Sequence, residues 1–238
     1  MSSTIEKIKA LSILTEGINP TIIYNEGWMI RLLVIESMIE KLVIRDIDFG
    51  FLAQKNWSSE ALIASPFVEK NIKNREGYTH ADIILGDFTV NYSERGEVKI
   101  NDSAKILGII EAKMGSDLSL GTSNANDYNQ ASRNVCCLSY LTRNIFDCKT
   151  FFIVTAPMKT IEKYEIKNKI EREKILTQIR DRFIHSNIEY QSEIQKKVEK
   201  CNIFSLSFEE WIVEILDTDV KKYLDDFYKE CIKHNKIN

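Results

Sequence analysis

The sequence predicts an α/β protein with a central mixed β-sheet flanked by α-helices, and three observations support this fold class. Short apolar runs that end at charged or turn residues are typical of buried strands. Segments with helical periodicity lie between these runs, so helices and strands alternate along the chain. Of the 238 residues, 44% are hydrophobic and 28% are charged, which is enough to bury a sizeable core.

The composition also excludes several classes of protein. A net charge of −3 argues against a protein that coats nucleic acid without specificity, although it is compatible with an enzyme that has a local basic groove. No apolar run reaches the roughly 18 residues of a membrane span, and the first residues lack a secretory pattern. We therefore expect a cytoplasmic protein with no membrane partner. The five cysteines form no Cys-x-x-Cys pair and are expected to be reduced thiols.

The first half of the chain is predicted to contain a long helix followed by strands. Helical periodicity covers residues 25–45, and Asn25 is a suitable N-cap. Residues 81–92 are predicted as a strand with a bend near Gly86, and residues 97–113 as a short strand, a turn and a buried strand. The apolar face of the helix is predicted to contain Met29, Leu32, Leu33, Ile39 and Val43.

The second half is predicted to be largely helical, because the last glycine is Gly121 and few turn signals follow it. Ser207 and Glu210 form a capping-box pattern at the start of the last predicted helix. We expect one domain over residues 1–238, with a largely helical part from about 158 to 238. The predicted elements are a helix over 124–145, a strand over 151–157, a charged helical stretch over roughly 160–200 and a strand over 202–206.

A carboxylate and an ammonium group end the predicted buried strand in the middle of the chain. Glu111 and Lys113 are separated by one residue, and both point to the same side because side chains alternate along a strand. Asp82 starts another apolar strand, so pairing of the two strands would bring the two carboxylates together. Two carboxylates suit Mg²⁺, and Lys113 would position or deprotonate a water and stabilise charge on a phosphate.

A structural ion pair at the edge of the sheet is the alternative interpretation. Lys113 would then pair with Glu111 or with Asp82, since two charged groups at a strand end are costly unless they are paired. An isolated Glu-x-Lys pattern on a strand is more often of this kind. The upstream Asp82 and the flanking motifs favour the functional interpretation.

These motifs resemble those of the PD-(D/E)XK phosphodiesterase superfamily. Sequence blocks similar to those of a bacterial group within it span roughly residues 24–157. The motif proline is absent, since His80 and Ala81 precede Asp82. The matching blocks are residues 57–61 (WSSEA), 76–82 (EGYTHAD), 111–113 (EAK) and 128–135 (YNQASRNV).

The resemblance implies a restriction-endonuclease-like fold and a nuclease that hydrolyses phosphodiester bonds of DNA with Mg²⁺, for which Mn²⁺ can substitute. An endonuclease of a restriction or defence system, acting as a homodimer, lies within this expectation. Asp82, Glu111 and an acid on the first helix would bind the metal. Glu26 matches the superfamily's usual placement, whereas Glu36 lies near the middle of the apolar face. The alternatives are an acid that favours the helix dipole for Glu26 and an error in the predicted helix rotation for Glu36.

The helix after the Glu-x-Lys strand supplies further candidates through the resemblance. Gln130 would act at the catalytic centre by orienting Lys113 or a phosphate. Arg133, on the same helix face, would contact the nucleic-acid backbone, and a solvated helix face is the alternative for both. Tyr128 would stack on a base or pack in the core. Ser116 lies in a Gly/Ser-rich loop that is placed to contact or gate a nucleic-acid substrate.

Two other functions stay open at this point. A non-catalytic nucleic-acid-binding or regulatory module would keep the fold without the chemistry, but the presence of Asp82, Glu111 and Lys113 together argues against it. A structural protein that oligomerises through the helical second half is the other alternative.

Overall fold

Strands and helices alternate along the chain, as predicted. The computed structural model describes residues 6, 10, 19–68, 75–93, 96–121, 126, 128–184, 186 and 188–237. The strands are β1 (Val43–Ile44), β2 (Ile47–Asp48), β3 (Asn56–Ile63), β4 (Thr79–Gly86), β5 (Phe88–Asn91), β6 (Glu97–Ile100), β7 (Ile106–Ala112), β8 (Lys149–Ala156) and β9 (Asn202–Ser207). The helices, after a 3₁₀ turn at Pro20–Ile22, are α1 (Glu26–Ile39), α2 (Phe49–Leu52), α3 (Gln130–Thr142), α4 (Met158–Lys163), α5 (Ile166–Lys169), α6 (Arg172–Ile184), α7 (Gln191–Lys200), α8 (Phe208–Glu214) and α9 (Thr218–His234).

A seven-stranded mixed sheet, in the order β5-β6-β3-β4-β7-β8-β9, forms the centre of the fold. β4 runs antiparallel to its neighbours β3 and β7, whereas β7, β8 and β9 are parallel. Every residue of β7 is buried. The predicted α/β class with a central mixed sheet is therefore confirmed.

Helices cover both faces of this sheet, and each face has its own apolar core. Successive residues of β7 supply the two cores, with Ile110 in the first and Ile109 in the second. α1, α8 and α9 pack in the first core, around the fully buried Trp211, and α3, α6 and α7 pack in the second. Two apolar layers thus hold the paired strands β4 and β7 between them.

Helix α1 begins as predicted and ends earlier than predicted. Asn25 caps it by accepting a hydrogen bond from Trp28 N–H at 3.0 Å. Lys41 has a left-handed backbone (φ 55°), and Leu42 N–H donates to Ser37 at 2.9 Å, which closes the helix end without a glycine. The prediction that Ile39 and Val43 lie on the buried face is therefore wrong, because these side chains are 51% and 64% exposed.

The charged stretch over 160–200 is divided into four helices, α4 to α7, and is not one long helix. Glu165, between α4 and α5, has a left-handed backbone (φ 49°) that ends the first of them. Alternating charges conceal such breaks, because a short helix and a long one have the same polar surface pattern. In the described part of the chain after Ala156, β9 is the only strand.

Two further predictions about helix starts have different outcomes. The capping box at α8 is confirmed, since Glu210 N–H donates to Ser207 Oγ at 3.0 Å and Ser207 N–H donates to the Glu210 carboxylate at 2.8 Å. The helix predicted over 124–145 begins only at Gln130. Residues 122–125 and 127 lie outside the described part of the chain.

The five cysteines are buried free thiols, as predicted. Burial raises the pKa of Cys136 and of Cys201 to about 12, so these thiols stay protonated and unreactive. Among the described residues, we find no helix with the length and apolar character needed to span a lipid bilayer.

Candidate active site

Asp82 and Glu111 lie across from each other at one end of two paired strands. β4 and β7 pair antiparallel with Ile83 opposite Ile110. The same register, continued by one position, places Asp82 opposite Glu111. Asp82 Oδ2 accepts a hydrogen bond of 2.7 Å from Ala112 N–H, which fixes its carboxylate against the end of β7. The structure thus brings together the two carboxylates that the sequence predicts to converge.

Three donors hold the Glu111 carboxylate, which is only 1% exposed. Lys113 Nζ and Gln130 Nε2 both donate to Glu111 Oε1 at 2.5 Å. Asn134 Nδ2 donates to Glu111 Oε2 at 2.9 Å. The carboxylate is therefore fixed in one orientation from β7 and from α3.

Burial raises the pKa of Glu111 to about 8, the nearby Asp82 carboxylate adds to the rise, and the Lys113 ammonium opposes it. Such a shift means that the negative charge on Glu111 is not fully balanced within the protein. A carboxyl group with a strongly raised pKa beside a second carboxylate is typical of catalytic and metal sites. An added cation would relieve the repulsion between the two groups.

Lys113 lies immediately after β7 and continues its pairing with β8. Its backbone N–H donates to Thr155 O at 2.8 Å, so its backbone is anchored to the neighbouring strand. The side chain is on the same side as that of Glu111, as strand alternation predicts, and it is 14% exposed. The ammonium group is thus partly accessible to solvent while its position is set by the sheet.

An open cleft of about 380 Å³ lies next to Asp82. Glu26, at the start of α1, lines this cleft together with Asp82. Glu36 lies ten residues further along α1, is 2% exposed and does not line the cleft. Of the two candidate acids on α1, Glu26 is therefore the one that shares a cleft with Asp82. The residues that line the cleft are Ile22, Asn25, Glu26, Gly27, Trp28, Arg31, Glu60 and Asp82.

The two carboxylates suit a hard divalent cation. A carboxylate offers about four lone-pair positions, and among the described residues Glu111 uses three of these and Asp82 one. Mg²⁺ commonly takes one or two carboxylates and keeps several waters. The described residues contain no group of three or more His, Cys, Asp or Glu side chains close enough to hold a metal. Water and phosphate oxygens would therefore complete the coordination.

No family model, curated protein or solved structure matches this chain. The likeness of its motifs to the PD-(D/E)XK superfamily therefore stays a prediction.

Gln130 and Asn134 lie one turn apart on α3, and both contact Glu111. The Gln130 amide donates to the same Glu111 oxygen as Lys113. The predicted role of Gln130 in orienting Lys113 or a phosphate stays a prediction. The sequence motifs indicate no role for Asn134, although its spacing of four residues from Gln130 places it on the same helix face. Thr79 Oγ1 donates to Asn134 Oδ1 at 3.3 Å and links this helix to β4.

The three residues predicted to bind nucleic acid differ in their accessibility. Tyr128 is 2% exposed and packs edge-on against Phe67, so the prediction that it stacks on a base is corrected to that of a packed aromatic. Arg133 is half-buried, and its guanidinium reaches Ser119 Oγ at 3.4 Å. Ser116 is exposed in the loop after Lys113.

The loop that was predicted to gate the site is tied to the helices around it. Thr160 Oγ1 donates to Met114 O at 3.0 Å, and Lys169 forms an ion pair of 2.5 Å with Asp117. Gln130 N–H donates to Ser119 O at 2.9 Å. The described part of the loop, up to Gly121, is therefore held at several points.

Two further residues of the cleft were not predicted to act there. Arg31 pairs with Glu60 at 3.7 Å, and its guanidinium lies 5.4 Å from the ring of Trp28. Glu60 lies on β3 between Ser59 and Ala61, which pair with the residues on either side of Asp82, and it has a left-handed backbone (φ 54°). Strained backbone of this kind is frequent at functional sites, and the sequence contains no signal for it.

Proposed function

We propose that this protein is a magnesium-dependent nuclease of the restriction-endonuclease-like, PD-(D/E)XK type that hydrolyses phosphodiester bonds of DNA. One observation supports the proposal above all others. The buried Glu111 carboxylate lies beside Asp82 and has the Lys113 ammonium 2.5 Å away, at the end of a core strand. Two carboxylates can hold a divalent metal, and an adjacent ammonium group can offset the charge that develops on a phosphate, which is the chemistry that metal-assisted hydrolysis of a phosphodiester uses.

In this proposal Asp82 and Glu111 hold Mg²⁺, and water completes its coordination on the side of the cleft that Glu26 lines. Mn²⁺ can substitute because it also accepts oxygen ligands. When bound, the ion supplies Lewis-acid polarisation of the phosphate and lowers the pKa of a coordinated water. Lys113 donates a hydrogen bond to the attacking water or to a phosphate oxygen. Its positive charge offsets the negative charge that develops on the phosphate during attack.

Gln130 and Asn134 act as positioning residues. They donate to opposite oxygens of the Glu111 carboxylate, at 2.5 Å and 2.9 Å, and so fix its plane. Because Lys113 donates to the same oxygen as Gln130, its ammonium is fixed as well. Groups held in place before the substrate arrives need no reorganisation during the reaction.

Cleavage of a supercoiled plasmid in the presence of Mg²⁺ tests the proposal. We expect nicked or linear DNA with the wild-type protein and none with a chelator. Lys113→Ala should lower the cleavage rate by about 10²–10³-fold, as the loss of one electrostatic stabiliser does in other enzymes. The matched control is Lys149→Ala, because Lys149 is exposed at the opposite end of the neighbouring strand β8 and should be dispensable.

The outcomes of this experiment separate the hypotheses. Cleavage that persists at the wild-type rate in Lys113→Ala would refute the assigned role of the lysine. A linear product that appears without a nicked intermediate would indicate a homodimer that cuts both strands. Single-stranded DNA and RNA in parallel reactions identify the preferred nucleic acid.

A non-catalytic nucleic-acid-binding module is the second candidate, and one observation favours it. Both oxygens of Glu111 already accept hydrogen bonds within the protein, including one from the Lys113 ammonium, so the group has partners without a cation. A structural ion pair would show the same contact. If no DNA or RNA is cut but binding weakens with added salt, this function replaces the nuclease.

A further inference from the structure

A second, basic pocket lies next to the end of β7, beyond Lys113. It has a volume of about 310 Å³. Its walls come from three parts of the chain: the loop after β7, helix α4, and the residues that follow α9. The residues that line it are Gly115, Lys159, Thr160, Lys163, Asn235, Lys236 and Ile237.

The charged side chains that line this pocket are all lysines, two from α4 and one from the segment after α9. Lys159, Lys163 and Lys236 are exposed, and none of them forms an ion pair with a described residue. No acidic side chain among the described residues lines the pocket. Three unneutralised ammonium groups around one concave surface repel one another, and an anion bound between them would remove that repulsion.

The walls of the pocket are held by specific contacts. Tyr164 OH donates to Gly115 O at 3.2 Å, which ties α4 to the loop. A side chain at Gly115 would lie 3.2 Å from Ile237 Cγ1, so the glycine permits the close approach of the C-terminal segment. Lys236 has a left-handed backbone (φ 54°), and Ile237 N–H donates to Ile232 O at 3.1 Å. The three lysines are therefore carried on a defined framework.

The position of the pocket relates it to the candidate active site. Gly115 follows Lys113 by two residues, which places its backbone within roughly 7 Å along the chain, given about 3.3–3.6 Å per extended residue. The loop wall of the pocket therefore begins at the same end of β7 as Lys113. A nucleic-acid strand that extends beyond the candidate site in this direction would meet the pocket. Lysine ammonium groups bind phosphate as compact point charges.

We propose that this pocket binds a phosphate group of the nucleic acid next to the one that is cleaved. This inference rests on the proposed nuclease function for the identity of the ligand. The phosphate is either an internal phosphodiester or the terminal phosphate of a strand, and both present the same oxygen acceptors. By neutralising that phosphate, the pocket sets the register of the strand and carries no sequence information.

Binding measured without cleavage tests the inference separately from the nuclease proposal. Fluorescence anisotropy of a labelled duplex in a chelator, at several salt concentrations, gives the dependence of log K on log salt. The variant Lys159→Gln/Lys163→Gln should lower the magnitude of the slope by about 1, because the loss of one phosphate contact removes close to one unit. The control Lys196→Gln/Lys222→Gln removes two exposed lysines outside the pocket and should leave the slope near that of the wild type.

Two further arms complete the test. Amide NMR with inorganic phosphate should shift the Gly115 and Lys236 signals in the wild type and not in the pocket variant, whether or not the protein cuts DNA. A duplex with a 5′-phosphate that binds more tightly than its 5′-hydroxyl form, only in the wild type, identifies a terminal phosphate. If both duplexes bind equally well and the pocket variant still has the reduced salt dependence, the bound group is an internal phosphodiester. Equal slopes in the pocket and control variants, or no NMR shift at Gly115, would overturn the inference.

Discussion

Glu111→Gln should lower DNA cleavage by about 10³-fold or more, since the several kcal/mol of charge stabilisation supplied by a bound metal correspond to that factor. Glutamine has nearly the same shape and can accept from Lys113 and Gln130, and rotation of the Asn134 amide lets it pair with the new side chain. A neutral amide is nevertheless a poor ligand for Mg²⁺. Initial rates of plasmid nicking at saturating Mg²⁺ measure the loss, and a rate within tenfold of the wild type would contradict the proposed metal site.

When divalent cations are chelated, the free energy of unfolding of Glu111→Gln should depend less on pH than that of the wild type. The pKa of Glu111 is raised from 4.5 to about 8 in the folded protein. Between these values the folded protein retains a proton that the unfolded chain has released, so stability falls as the pH rises. Glu111→Gln lacks this proton, and its free energy of unfolding should fall less across that interval.

Urea unfolding at pH values across this interval measures the effect. Asp102→Asn is the matched control, because Asp102 is exposed in the turn before β7 and should keep the pH dependence of the wild type. An equal fall in stability for Glu111→Gln and the wild type would show that Glu111 is ionised throughout the interval.

Arg182→Met should destabilise the protein by about 3–5 kcal/mol, because breaking a buried ion pair leaves the other charge without its counter-ion. Arg182 Nε lies 3.0 Å from Glu76 Oε1, and their side chains are only 4% and 3% exposed. Ser65 Oγ donates to the other oxygen of Glu76 at 3.1 Å. Since Glu76 lies three residues before β4, this pair anchors the approach to the strand of Asp82 against α6.

The loss of stability is measured by comparing the urea midpoints of Arg182→Met and the wild type, provided that their m-values are the same. Lys174→Ala is the control, because its pair with Glu171 is roughly half exposed and should contribute less than about 0.5 kcal/mol. The double variant Glu76→Leu/Arg182→Met removes both charges and should regain most of the stability. If Arg182→Met alone costs less than about 1 kcal/mol, the pair is not the anchor described above.

The elements that the sequence predicts well are those with a strong local signal. The bend at Gly86, the apolar run of β7 and the capping box of Ser207 each follow from their own residues. β3 escaped prediction because its outer half is exposed and Glu60 has a left-handed backbone. The early end of α1 was also hidden, since Lys41 adopts the conformation that glycine usually supplies.

In the candidate site, too, some residues can be predicted from local patterns and others depend on tertiary packing. Alternation along β7 was sufficient to place Glu111 and Lys113 on one side, and the apolar start of β4 was sufficient to suggest Asp82. The choice between Glu26 and Glu36 needed the position of the cleft, which depends on how α1 packs. The contact of Asn134 with Glu111 depends on the rotation of α3 over the sheet, and the burial of Tyr128 depends on Phe67. These are tertiary facts that no local pattern encodes.

Anomalous diffraction from crystals soaked in Mn²⁺ tests most directly whether one ion joins neighbouring strands at this edge of the sheet. We expect a single strong peak at about 2.0–2.2 Å from a carboxylate oxygen of Asp82 and from one of Glu111, and its loss in Asp82→Asn. A peak bound elsewhere, or none between these two side chains at saturating Mn²⁺, would contradict the account.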